Sequence, residues 1–232
     1  MAKEFAVSCV EGCVVIQMRW GENRLNPDFI SAMNSALDKA ESYEDAKAVV
    51  TIGDGKHYCL GLDLDYLSTA PADDALMFSE NLQKLLLRIL TFPLVTVAAI
   101  NGHVYAGGVF VAISHDYTIM RTERGWFCLN EVHIKRNFTV AFMKLGKARL
   151  PQPQLHAALI LGTRYTAEEA LAAQIINETS PHDQLLERAI AAGRRLAGKN
   201  GLDRATLANL KKDTYRDVCI ALSETTRFYS KL

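Results

Sequence analysis

The sequence lacks several features that would place it in a common functional class. Its 26 basic and 26 acidic residues cancel, so a general polyanion-binding surface and nucleic-acid binding are not expected. Its longest apolar runs, such as residues 94–100, are too short to span a bilayer. There is no repeat, low-complexity tract or flexible linker that would force a domain boundary. We therefore expect a soluble protein that is made in the cytosol.

Cysteine and histidine are present without the spacings that would give them a structural or metal-binding role. The five cysteines are an odd number and include no CxxC pair, which argues against a disulfide framework and a thiolate zinc site. The six histidines form neither HxxH nor HExxH. We expect reduced core thiols, histidines at the surface or in turns, and no metal.

Strand-like and helix-like patterns alternate in the first part of the chain. Residues 12–20, 47–52 and 94–100 are rich in Val and Ile and are typical of strands. A helix is predicted from Asn26-Pro27, and another over residues 73–90. The alternation predicts an α/β fold with a sheet core.

From about Val140 the pattern predicts helices alone, over residues 140–150, 152–161, 166–173, 184–197, 203–212 and a last segment to about 226. Thr166 and Glu169 have the spacing of a capping box at one helix start. We predict one structural unit, with an α/β core at 1–150 and a helical C-terminal region at 151–232.

Two glycine-bearing turns carry the functional signal. In HYCLGLDLDYL (57–67), Gly61 permits a backbone conformation that would aim the N–H of Leu62 into a cavity. In AAINGHVYAGGVFVAISHD (98–116), small residues around Gly107 open an apolar helix and leave its free N–H groups accessible. The spacing fits no nucleotide-binding loop. Taken alone, each turn is also compatible with ordinary tight packing between strand and helix.

Together the two turns resemble the crotonase, or enoyl-CoA hydratase/isomerase, superfamily. The stretch NGHVYAGGVFVAISHDYTIMRTERGWFCLNEVHI is similar to the Δ3,Δ2-enoyl-CoA isomerase branch, particularly its peroxisomal members, and the resemblance covers roughly residues 5–180. It implies a crotonase-like ββα spiral core whose C-terminal helices serve oligomerisation. A homotrimer or a hexamer is the expected assembly.

The resemblance also implies a catalytic arrangement. The N–H groups of Leu62 and Gly107 fall on the family's oxyanion hole, and Glu131 falls on a catalytic glutamate. Hydratases of this superfamily use two glutamates, but Phe110 stands where the first would be. A single base that moves a proton from C2 to C4 of a 3-enoyl thioester fits this pattern better than hydration does. Without the resemblance, Glu131 would be interpreted as a solvated loop residue.

The implied substrate is a fatty acyl-CoA, so coenzyme A is part of the substrate and no separate cofactor is expected. Arg24 could reach a phosphate and Asn130 the substrate, although a solvated arginine and a backbone-capping asparagine are the alternatives. The residues implied to bind the substrate are Arg24, Leu25, Leu60, Gly61, Leu62, Asp63, Leu64, Gly107, Phe110 and Asn130.

The segment after Glu131 departs from the family. Lys135 stands where a glycine is usual, and Arg136 follows it. Lysine adopts positive φ less cheaply than glycine, so the loop could differ in shape, and Lys135 could pair with Glu131 and depress its pKa. Two other functions therefore remain open: a thioester hydrolase of the same superfamily, and a non-catalytic acyl-CoA-binding protein.

The chain ends in Ser230-Lys231-Leu232, the tripeptide that the peroxisomal import receptor reads at a free C-terminus. A solvated helix tail is the alternative interpretation. We expect a peroxisomal protein of fatty acid β-oxidation.

Overall fold

The three Val- and Ile-rich runs form neighbouring strands in the larger of two sheets in the computed structural model, which describes residues 4–224. The larger sheet has the order β1-β2-β3-β5-β7-β9 and is parallel except for the β1–β2 hairpin. The smaller sheet, β4-β6-β8, is parallel throughout. The strands are β1 (Glu4–Val10), β2 (Cys13–Arg19), β3 (Ala48–Gly53), β4 (His57–Cys59), β5 (Val95–Ile100), β6 (His103–Tyr105), β7 (Tyr117–Arg121), β8 (Phe127–Cys128) and β9 (Glu178–Ser180).

Five of the helices described below, α1, α2, α5, α6 and α8, begin at residues whose side chains cap them. The Asn26 side chain accepts a hydrogen bond from the Phe29 N–H, and the capping box of Thr166 and Glu169 is confirmed. No helix within residues 4–224 has the length and apolarity that crossing a bilayer requires. The helices are α1 (Pro27–Ser42), α2 (Leu64–Thr69), α3 (Ala72–Leu90), α4 (Gly107–Ile113), α5 (Val140–Arg149), α6 (Ala167–Ala172), α7 (Leu185–Ala197), α8 (Arg204–Thr214) and α9 (Arg216–Ser223).

The central strands of the larger sheet are buried on both faces. Alternate residues of β3 point to opposite sides, so Val49 joins the core beneath α1 and α3 while Ala48 and Val50 join a second core beneath α7. A Cβ built at Gly193 of α7 would lie 2.9 Å from the Ala48 Cβ, which shows how closely this helix approaches the strand. Burial on both faces explains why the sequences of these central strands are continuously apolar and do not alternate between apolar and polar residues.

Two predictions for the C-terminal part are wrong. The chain is not helical alone after residue 140, because β9 pairs in parallel with β7. A strand of three residues with polar side chains carries no periodic signal, so pattern reasoning cannot find it. Residues 152–161 are not one α-helix but a 3₁₀ turn, Gln152–Gln154, followed by a π-helical turn, His156–Ile160. The predicted import tripeptide lies outside the described residues.

Candidate active site

The smaller sheet brings the three sequence motifs to one place. Its strands run parallel, with Tyr105 in register with Cys128 and His57 in register with His103. Their carboxyl ends therefore point the same way, and ligands bind preferentially at such ends. The chain beyond β4 carries the first glycine turn, the chain beyond β6 the second, and the chain beyond β8 carries Glu131. All three motifs consequently border one cavity.

This cavity has a volume of about 510 Å³, within the range of small-ligand sites. Its wall is polar near Arg24, His57 and His103 and apolar near Leu67 and Phe142. The residues on its wall are Arg24, His57, Leu60, Leu62, Leu64, Leu67, His103, Tyr105, Ala106, Gly107, Asn130, Glu131, Ile134, Arg136, Asn137, Phe138 and Phe142.

The two glycine turns touch each other. Gly61 has a φ of +79°, and a Cβ built on it would lie 2.9 Å from the Gly107 nitrogen. Only glycine permits both this conformation and this approach. Hydrogen bonds on either side of Leu62, from Leu25 N to Gly61 O (2.8 Å) and from Asp63 N to Leu25 O (2.9 Å), fix the first turn.

Two backbone donors remain available at the junction of these turns. Within the described part of the chain, neither the N–H of Leu62 nor that of Gly107 donates a hydrogen bond to another backbone group. Gly107 is the first residue of α4, where the helix itself offers its N–H no acceptor. Ala106, before it, has a φ of 51°, a costly conformation for a residue with a Cβ, and its own N–H is bonded to Cys128 O at 2.9 Å. The arrangement suits an acceptor oxygen that takes both donors.

The Glu131 carboxyl borders the same cavity as these donors and is largely buried. Its side chain is only 8% exposed, and Oε2 has no hydrogen-bond partner among the described residues. Burial raises the pKa of Glu131 to about 7. The sequence left open that Lys135 pairs with Glu131 and depresses its pKa. The structure contradicts this possibility, because Lys135 is exposed and the pKa of Glu131 is raised instead.

The turn that carries Glu131 is closed by backbone bonds. The Arg136 N–H donates to the Glu131 carbonyl at 2.9 Å, and Lys135 between them has a φ of 55°. A hydrogen bond of this kind, from a residue to the carbonyl five positions earlier, closes the end of a helical turn. The residue just before the donor, here Lys135, then lies in the left-handed region, where glycine is preferred. Lysine accepts the same geometry at a cost in backbone strain. His133 lies 3.3 Å from Gly162 O, which ties the turn to the rest of the chain.

Phe110 is sealed within the core and does not reach the cavity wall. It is 0% exposed, stacks on Phe142 with ring centroids 4.7 Å apart, and meets the edge of Phe138 at 5.4 Å. Glu131 is the one acidic side chain on the wall within residues 4–224.

Four of the residues that the sequence predicted to bind substrate do not line the cavity: Leu25, Gly61, Asp63 and Phe110. Asp63 caps α2 by accepting from Tyr66 N at 3.2 Å. Arg24 does line the cavity, although its Nε also contacts Glu22 at 2.6 Å. Leu60, Leu62, Leu64, Gly107 and Asn130 are on the wall as expected.

Sequence reasoning missed the histidines of the wall. His57 and His103 were expected at the surface or in turns, yet they face the cavity with ring centroids 5.9 Å apart, and burial lowers the pKa of each imidazole. Strand alternation could have indicated them, because residues 103 and 105 share one face of β6. The buried atoms His103 Nδ1 and Asn130 Oδ1 lack partners in the described chain, as Glu131 Oε2 does.

Comparisons with known proteins agree on one family. The family described as enoyl-CoA hydratase/isomerase matches residues 10–231. The chain is 29% identical to Arabidopsis thaliana enoyl-CoA delta isomerase 2, peroxisomal, over 90% of this chain and 91% of that protein. It is 32% identical to enoyl-CoA delta isomerase 3 of the same plant, over 85% and 86%. A solved enoyl-CoA isomerase of Mycobacterium tuberculosis superposes with a TM-score of 0.86 at 28% identity, covering 96% of this chain and 95% of that one.

The fold and the paired glycine turns thus define a crotonase-fold protein. The chain belongs to the enoyl-CoA hydratase/isomerase family, and its similarity to delta isomerases places it in the isomerase branch.

Proposed function

We propose that this protein is a Δ3,Δ2-enoyl-CoA isomerase that converts 3-enoyl-CoA to 2-trans-enoyl-CoA in fatty acid β-oxidation. One observation carries the proposal: a single buried carboxyl with a raised pKa borders the same cavity as two unpaired backbone donors. A hydratase mechanism would need a second carboxylate on the wall, and Phe110 is buried behind it. The names of the Arabidopsis relatives support the same reaction.

The residues divide the reaction between them. The Glu131 carboxylate removes a proton from C2, and the electrons of the broken C–H bond form a dienolate whose negative charge lies on the thioester oxygen. The N–H groups of Leu62 and Gly107 stabilise that oxygen as the charge develops. The protonated Glu131 then delivers the same proton to C4, which leaves the double bond between C2 and C3. A pKa of about 7 makes one carboxyl both a workable base and a workable acid near neutral pH.

A product assay tests the reaction class. The protein is incubated with 3-trans-hexenoyl-CoA while conjugation, release of free thiol and addition of water are followed separately. We expect conjugation without the other two products. Thiol release without conjugation would identify a thioester hydrolase, and binding without any product would identify a non-catalytic acyl-CoA-binding protein.

We further propose a peroxisomal location and a homotrimeric or hexameric assembly. The C-terminal Ser230-Lys231-Leu232 and the word peroxisomal in the names of two Arabidopsis relatives support the location. Leu210 of α8 and Ile220 of α9 are 59% and 51% exposed, as expected for apolar side chains that a neighbouring copy covers. Imaging the chain with and without its last three residues tests the first proposal, and sedimentation tests the second.

A further inference from the structure

A second cavity lies on the far side of the segment that carries Glu131. Its volume is also about 510 Å³, and Met143 and Leu159 contribute to its apolar wall. The complete wall consists of Glu131, Val132, Arg136, Asn137, Phe138, Met143, Leu159 and Ile160. Four residues line both cavities: Glu131, Arg136, Asn137 and Phe138. The two spaces are therefore neighbours, separated by one layer of side chains.

Phe138 is the large apolar side chain in that layer. It is half-buried, and it meets the edge of Phe110 with ring centroids 5.4 Å apart. It belongs to a segment without regular secondary structure between the Glu131 turn and Thr139, the N-cap of α5. An aromatic ring in such a segment can rotate or shift without breaking a helix or a strand. Phe138 is thus placed to separate the two cavities or to join them.

We propose that the acyl site has two compartments: short acyl chains end in the first cavity, and the methyl end of a long chain passes Phe138 into the second. The inference rests on the proposed function only in taking the ligand to be an acyl thioester. Continuity carries it, because Glu131 must contact carbons near the thioester and also borders the second cavity. A chain that continues away from those carbons meets Phe138 next.

The magnitude of the effect follows from the burial of methylene groups. Each methylene moved from water to an apolar cavity strengthens binding by about fourfold. A tetradecanoyl chain that places about three methylenes in the second cavity would therefore gain on the order of fiftyfold in affinity from that compartment. A hexanoyl chain would gain nothing there.

Filling the second cavity from its outer edge tests the proposal. Ile160 is 53% exposed, so Ile160→Trp should fold while its ring occupies the compartment. Leu161→Trp is the matched control, because Leu161 is also 53% exposed and lines neither cavity. Binding of hexanoyl-CoA and tetradecanoyl-CoA is measured by calorimetry on the full chain, and sedimentation reports its assembly.

We expect Ile160→Trp to weaken tetradecanoyl-CoA binding by tenfold or more while hexanoyl-CoA binding and assembly stay unchanged, with Leu161→Trp unchanged for both ligands. Phe138→Ala, which removes the partition, should shift the affinity ratio severalfold towards the longer chain. Equal losses for both ligands, or a changed assembly with unchanged chain-length preference, would overturn the proposal in favour of a surface that a second copy covers. Saturated ligands require no turnover, so this result is independent of whether the isomerase assay succeeds.

Discussion

The two sides of the active site are built under different constraints. The glycine turns are packed so closely that added atoms collide: a Cβ at Gly108 would lie 2.3 Å from Cys59 O, and one at Gly61 would lie 2.9 Å from Gly107 N. The Glu131 side is open by contrast, with residues 132–137 exposed and Lys135 occupying a left-handed position. The proposed oxyanion hole thus depends on backbone geometry that few residues permit. The proposed base requires only that one carboxyl be buried at the right place.

Gly61→Ala tests the strict side and should have the largest effect of the changes at backbone positions. The added methyl group pushes the two turns apart, so the donors no longer converge on one oxygen. Loss of one such donor costs about 10²–10³ in rate. The rates at which Gly61→Ala and the wild type convert 3-hexenoyl-CoA to the conjugated product measure this loss.

Gly55→Ala is the control for backbone conformation. Gly55 has a φ of +70°, close to that of Gly61, but nothing lies within 4 Å of its Cβ position. Gly55→Ala should therefore carry a similar cost in backbone conformation, but its added methyl group collides with nothing. If Gly55→Ala and Gly61→Ala lost activity equally, the contact between the turns would not be the reason.

The burial of Glu131 predicts a pH-dependent stability. Its folded pKa of about 7 lies above the ordinary value of 4.5, so the folded protein binds the proton more tightly than the unfolded chain does. The resulting stabilisation is complete below the unfolded pKa and is lost as the pH rises through the folded pKa. Between pH 5 and pH 8 the wild type should lose about 2 kcal/mol relative to Glu131→Gln.

Urea unfolding of both proteins at the two pH values measures this difference. Glutamine has nearly the same shape and does not titrate, so the other titrating groups cancel in the comparison. If the unfolding free energies of the two proteins changed in parallel with pH, Glu131 would be solvated. Its burial could then no longer be used to infer a strong base.

Lys135→Gly tests the permissive side and should have the smallest effect. Glycine adopts a φ of 55° without strain, which should stabilise the fold by up to about 1 kcal/mol and leave the conjugation rate nearly unchanged. Lys135→Ala removes the same charge without relieving the backbone and should leave stability unchanged. A large loss of activity in both variants would show that the Lys135 charge matters after all.

The sequence predicted where the two glycine turns lie, but not by itself what they do. Gly61 and Gly107 could be recognised as turn residues, yet each turn alone was also compatible with tight packing, and the resemblance supplied its function. Glu131 acquired its meaning only from the resemblance, since nothing local distinguishes a buried glutamate from a solvated one.

The remaining features depend on contacts between distant segments. His57 and His103 come together because β4 and β6 pair, and β9 forms only because β7 offers it an edge. The sequence also could not show whether Lys135 contacts Glu131, because that depends on the direction in which the closed turn points the Lys135 side chain. Pattern reasoning has no access to such long-range geometry.

The most direct test of the account is the conjugation rate of 3-hexenoyl-CoA by Glu131→Gln. Glutamine keeps the cavity and the backbone donors but can neither take the proton from C2 nor return it to C4. We predict a loss of at least about 10²–10⁴ in rate, with the affinity for hexanoyl-CoA retained. Conjugation by the glutamine variant at the wild-type rate would contradict the central claim that Glu131 carries the proton.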